Sequence, residues 1–120
     1  VPVRADHRVI HHQAALLAAN RYLQDHLTEN ITLEQLARES GLYPTYFHKL
    51  FTAAYGRTPM QKLNDYRIAN ATAYLASTTH SISEIAVRCG FTSQNYFTVK
   101  FKELTGQTPT QFRKAHQKTK

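Results

Sequence analysis

A chain of 120 residues with 42% apolar content fits one compact domain, or two very small ones sharing a core. No apolar run approaches the roughly 18 residues of a membrane span, and no charged-then-apolar start reads as a signal peptide. The single Cys89 excludes an internal disulfide and fits a reducing cytoplasm. The formal charge of +7 is lopsided: residues 1–65 carry seven Lys/Arg against six Asp/Glu, and residues 66–120 carry eight against two. A field of that sign attracts nucleic acid or an anionic membrane, with solubility alone as the plainer reading.

Residues 1–8 show no clear period and read as a linker remnant or disordered start. From Val9 to Leu27 the chain lacks Gly and Pro, and Leu16, Ala19, Leu23 and Leu27 fall on one face at helical spacing. Thr32 then suits an N-cap, with Gln35 three residues on as in a capping box. That helix runs from Leu33 to Ser40 and stops at Gly41. Pro44 opens the next helix, which ends on Gly56. Two short helices joined by a turn that begins with Gly are the pattern of a helix-turn-helix.

Thr58-Pro59 restarts the chain, and the segment to about Ser77 reads as one linker helix with Leu63, Arg67, Ala71 and Leu75 at four-residue spacing. Ser81 caps Ile82 to Cys89, with Glu84 at the box position, and Gly90 ends that helix. Ser93 caps a helix from Gln94 to Thr105, ended by Gly106. Thr108-Pro109 starts a last helix to about His116, and Lys118-Thr-Lys120 is a basic tail. The expectation is an all-α fold of seven helices: one helix-turn-helix subdomain over 9–57, the linker helix over 58–77, and a second subdomain over 78–117.

The chain on the two sides of the linker helix is a repeat. Leu33-Glu-Gln-Leu-Ala37, Gly41, Tyr46-Phe47, Phe51, Gly56, Thr58-Pro59 and Gln61 return as Ile82-Ser-Glu-Ile-Ala86, Gly90, Tyr96-Phe97, Phe101, Gly106, Thr108-Pro109 and Gln111. The offset is 49 residues up to the first glycine and 50 after it, which gives nine identities and one extra turn residue in the second copy.

At 100° per residue, Phe47, Phe51 and Ala54 share the inward face of one second helix, and Phe97, Phe101 and Leu104 that of the other. The outward faces carry Thr45, Lys49 and Thr52 with His48 beside them, and Asn95, Val99 and Lys102 with Thr98 on the flank and Gln94 at the start. Neither has an acidic residue at its centre. Such faces suit base edges: Lys donates to guanine, Asn pairs both ways with adenine, and Thr or Val methyls meet the thymine methyl. A linker helix about 27 Å long suits two recognition helices in successive major-groove segments about 34 Å apart. Arg57, Arg88 and Lys100, with the N–H groups at the Thr58 and Thr108 helix starts, are candidate phosphate contacts.

Taken together these residues closely resemble the DNA-binding domain of AraC-type (AraC/XylS family) transcription regulators. The resemblance covers about Ala19 to Arg113. It is most specific in Ile85-Ala86, Cys89-Gly90-Phe91, Ser93, Tyr96-Phe97, Phe101-Lys102, Gly106, Thr108-Pro109 and Phe112-Arg113. It implies seven helices, two helix-turn-helix units, binding to double-stranded promoter DNA and recruitment of RNA polymerase as an activator. By position it places Thr45, His48 and Lys49, and Asn95, Thr98 and Val99, where bases are read. Tyr43 stands where a capping Ser is usual, Lys62 where an aromatic is usual, and Val99 where Arg is frequent. Many members carry a ligand-sensing or dimerising domain, and the ragged start at Val1-Pro-Val favours a piece cut from a longer regulator.

His7, His11 and His12, with Asp6 nearby, read as surface histidines rather than a metal site, and no cofactor is expected. Cys89 reads as a packed small residue, and Tyr46 and Tyr96 as part-buried packing. No nucleophile–base pair, phosphate-cradling glycine loop or carboxylate pair points to an enzyme. The competing readings are a helix-turn-helix that binds protein and an architectural DNA binder without base preference.

Overall fold

The computed structural model describes residues 7–117, and all the regular structure there is helical. In order these are α1 (His7–His11), α2 (Gln13–Asp25), α3 (Leu33–Ser40), α4 (Pro44–Tyr55), α5 (Pro59–Ser77), α6 (Ile82–Arg88), α7 (Gln94–Thr105) and α8 (Pro109–His116). The expected linker start, apart from His7 and Arg8, and the basic tail lie outside the described residues, as do Asp6 and the His7 side chain.

Among the described residues there are eight helices where periodicity predicts seven, because the expected first helix divides at His12, with φ −105° and ψ 17°. No Gly or Pro marks the place. The backbone ladder continues across it, His12 N donating to Arg8 O at 3.1 Å and Leu16 N to His12 O at 3.0 Å. The His12 ring meets those of His11 and Tyr46 edge-on. Ring contacts of this kind leave no trace in a helical period.

The helix starts follow local chemistry closely. Thr32, Thr58 and Thr108 each accept from the N–H three residues on, and Gln35, Gln61 and Gln111 each take the threonine N–H in return. These are three complete capping boxes. Ser93 accepts from Tyr96 N and Ser81 from Glu84 N. The Glu84 carboxylate does not complete its box; it lies on Arg88 and His80 instead. Tyr43, at the N-cap of α4, makes no side-chain cap bond and stands 85% exposed.

The turn glycines of the two helix-turn-helix motifs close α3 and α6 in the same way. Leu42 N reaches Ala37 O at 3.0 Å, and Phe91 N reaches Ala86 O at 2.9 Å. Gly41 and Gly90 supply the left-handed residue this closure needs, at φ 74° and 96°.

The chain separates into two compact units, and the division falls within α5, between Leu63 and Asn64. The first unit holds the described residues up to His26 and Ile31–Leu63. There α2 packs on α3 and α4, and Leu16, Leu23, Leu36, Phe47, Leu50 and Phe51 are buried. The second unit holds Leu27–Asn30 and the chain from Asn64 on. Its core is Ile68, Ala71, Leu75, Ile85, Ala86, Cys89, Phe91, Phe97 and Phe101, with Phe112 packed at the edge.

The inward positions expected on α4 and α7 hold for the four phenylalanines but not for the last turn. Ala54 is exposed, and Leu104 is 40% exposed. Angular position sets where a side chain points; burial also needs atoms packed over it, and Ala54 lines an open depression with Val9, Ile10 and Leu17. In α4 the buried third position is Leu50.

Arg67 sits at an apolar-spaced position of α5 yet binds backbone. Its Nε donates to Leu27 O at 2.6 Å and its Nη2 to Glu29 O at 2.8 Å. Burial lowers its pKa, and the guanidinium lies over the Phe91 ring. Arg113 repeats the device on Leu75 O and Thr78 O, with Gln117 adding a second bond to Thr78 O.

Candidate nucleic-acid interface

In the first unit, α4 is fixed by Phe47, Leu50 and Phe51, which are buried on one side and leave the other side to solvent. Thr45 and Lys49 are exposed there, one turn apart, and His48 is half-buried at the edge. Thr52, expected outward, is half-buried, and its Oγ1 is enclosed without a hydrogen-bond partner. The hydroxyl of Thr52 is therefore not on offer to a partner. Arg8 lines an open depression with Tyr46, His48 and Lys49. Arg8 falls in the expected linker start, because a lone Arg outside any period carries no signal; only the packing of α1 on α4 brings it beside Lys49.

In the second unit, Phe97 and Phe101 anchor α7 and their rings meet edge-on at 5.7 Å. On the opposite side Gln94, Asn95 and Lys102 are exposed, Thr98 is half-buried, and Val99 is 53% exposed. Asn64 Nδ2 donates to the Tyr96 hydroxyl at 3.1 Å, which ties α7 to α5. Tyr96 is 46% exposed, more open than its expected packing role.

The candidate phosphate contacts are not equivalent. Arg88 forks onto Glu84 Oε2 at 3.0 and 3.2 Å, and that pairing pulls the Glu84 carboxyl below its ordinary pKa. Lys100 Nζ lies 3.2 Å from Glu103 Oε1 and over the Tyr96 ring. Arg57 is half-buried, and the hydroxyls of Thr58 and Thr108 are taken by their own helices. Cys89 is fully buried, and burial pushes its thiol up to about 11, against the opposing pull of Arg67.

Among the described residues no helix is long and apolar enough to cross a membrane. Nor, among them, is any group of three or more His, Cys, Asp and Glu placed to hold a metal ion.

Comparison with known proteins locates this arrangement. A helix-turn-helix domain family matches residues 36–115. The chain is 36% identical over 92 residues to the bifunctional transcriptional activator/DNA repair enzyme AdaA of Bacillus subtilis, covering 77% of this chain and 44% of that protein. It therefore spans less than half the length of that relative. Among solved structures, the C-terminal domain of AraT, a response regulator from Geobacillus stearothermophilus, is 30% identical with a TM-score of 0.83, covering 88% of both chains. The DNA-binding domain of AdpA, a global transcriptional factor solved in complex with a target DNA, is 29% identical with a TM-score of 0.79, covering 84% of this chain and 91% of that one. On the repeat, the helix order and these matches, the chain belongs to the AraC-type family of helix-turn-helix DNA-binding domains.

Proposed function

We propose that this chain binds double-stranded promoter DNA sequence-specifically, with α4 and α7 entering successive major-groove segments. The observation that carries the reading is the duplication. Each unit closes its turn with the same glycine-centred hydrogen bonds and follows it with a helix anchored by phenylalanines. Each such helix turns a polar or basic face outward. The helix α5, about 28 Å long at 1.5 Å per residue, joins units that would have to reach groove segments about 34 Å apart. The base-reading set is Thr45, His48, Lys49, Gln94, Asn95, Thr98, Val99 and Lys102, with Thr52 contributing shape rather than its hydroxyl. Arg57, Arg88, Lys100 and the helix starts at Thr58 and Thr108 take phosphates, Arg88 and Lys100 by leaving their present carboxylates.

The excess of positive charge in residues 66–120 supports the reading, as does the likeness to a domain solved on its target DNA. Activation through RNA polymerase, by a non-enzymatic cytoplasmic regulator that carries a further ligand-sensing or dimerising domain, is the matching role for the whole protein. The word activator in the name of the AdaA relative supports that role.

The test is selection of bound sequences from a random duplex pool, followed by competition. The selected site should win over random duplex by about 10³ or more, with a steep fall of affinity as salt rises. Equal affinity for both duplexes would leave only an architectural binder, and no binding to either would leave a protein-interaction module.

A further inference from the structure

We propose that α7 reads adenine–thymine pairs, Asn95 holding an adenine edge and Val99 a thymine methyl, while α4 supplies the guanine reading through Lys49. The inference rests on the DNA-binding reading above and deepens it to the base class each helix takes.

The outward centre of α7 is Asn95, Val99 and Lys102, all exposed, with Val99 between the other two. Scattered apolar residues on a surface are ordinary; what matters is the place of this one. Val99 stands at the middle of a helix face that no other element covers, 53% exposed, with two stiff methyl groups. The thymine methyl is the one apolar group on the floor of the major groove. Guanine opposite Val99 would have its two acceptors stripped of water with no donor to replace it. Cytosine would need an acceptor for its amino group, and the valine side chain has none. Thymine is the one base that sets an apolar group against the valine methyls.

Asn95, one turn earlier, has both a donor and an acceptor on its amide, which matches N7 and N6 of adenine. The two residues are about 6 Å apart along the helix axis, under two base steps at about 3.4 Å each, so one helix can read both in a short A·T run. On α4 the matching centre is Lys49, which has donors only, and the nearby Thr52 hydroxyl is enclosed. That face suits the two acceptors of guanine. The site is therefore asymmetric in base composition as well as in sequence.

The experiment uses the selected duplex with each thymine singly replaced by deoxyuridine, which removes only the C5 methyl, and each adenine singly by 7-deazaadenine, which removes only N7. Affinities are measured for the wild type, Val99→Ala and Asn95→Ala. At one thymine the wild type should lose about fourfold on loss of the methyl, and Val99→Ala should be indifferent to it. At an adenine within two steps, the wild type should lose about tenfold and Asn95→Ala nothing further. Both side chains are exposed, so the variants should keep the wild-type circular dichroism and melting temperature. If no thymine methyl matters to the wild type, or if the same loss persists in Val99→Ala, the assignment of α7 is overturned while sequence-specific binding stands. If the pool yields no site preferred over random duplex, the DNA-binding reading falls and this inference with it.

Discussion

Gly90 passes so close to Leu27 that a Cβ on the glycine would lie 2.5 Å from the Leu27 carbonyl oxygen and 2.8 Å from Arg67 Nε. The same oxygen accepts the Arg67 Nε hydrogen bond at 2.6 Å. The turn between α6 and α7 is thus pressed onto a short loop far away in sequence. Its counterpart Gly41 would meet nothing within 4 Å. Gly41→Ala should therefore cost about 1–2 kcal/mol, the left-handed backbone penalty alone. Gly90→Ala adds a collision with backbone and should cost about 3–5 kcal/mol. Urea denaturation of the two variants compares them; equal losses would show that the approach at Gly90 is relaxed in solution.

Arg67→Lys should be far from conservative. The guanidinium donates to two carbonyls at once, and an ammonium is a point charge that cannot keep the fork. A loss of about 2–4 kcal/mol is expected from the charge-assisted bonds and the carbonyls left unpaired. An unchanged denaturation midpoint would mean water replaces the side chain at no cost.

Phe101→Ala should destabilise the second unit by about 3–5 kcal/mol, since the ring is fully buried between Phe97 and Phe112. Leu104→Ala, one turn on, should cost under about 1 kcal/mol, because Leu104 is already 40% exposed. Calorimetric melting separates the two, and a large Leu104 effect would restore it to the core.

The Cys89 thiol, raised to about 11, predicts a pH dependence with a definite sign. The folded protein holds this proton more tightly than the unfolded chain, so ∂ΔG/∂pH is negative between the two pKa values. The contribution is complete below about pH 8.5, where even the unfolded thiol stays protonated, and is lost as pH rises through about 11. Relative to Cys89→Ala, wild-type stability should fall by about 2–3 kcal/mol across that window. Native Cys89 should also resist iodoacetamide at pH 8. A constant difference between the two proteins would mean that the thiolate is not shut away from water.

Lys49→Ala and Asn95→Ala should each cost about 1–3 kcal/mol on the selected site and relax base preference locally. Fluorescence anisotropy on specific and random duplexes measures both. Equal losses on the two would assign these side chains to phosphate.

What the linear sequence determined is whatever a few neighbouring residues settle among themselves. Threonines followed by glutamine three residues on became capping boxes at Thr32, Thr58 and Thr108, and glycines after Ser40 and Cys89 closed their helices. The spacing of the phenylalanines set which side of α4 and α7 is inward. These are short-range hydrogen bonds and a helical period, so they survive translation into a string of letters. The tertiary structure decided the rest, because burial and hydrogen-bond access depend on what lies opposite. It divided the first helix at His12, left Ala54 and Leu104 uncovered, and enclosed the Thr52 hydroxyl. It placed Arg8 beside Lys49 and turned Arg67 from an apolar-face residue into the clasp on Leu27. None of these follows from spacing, since each needs a partner brought near only by folding.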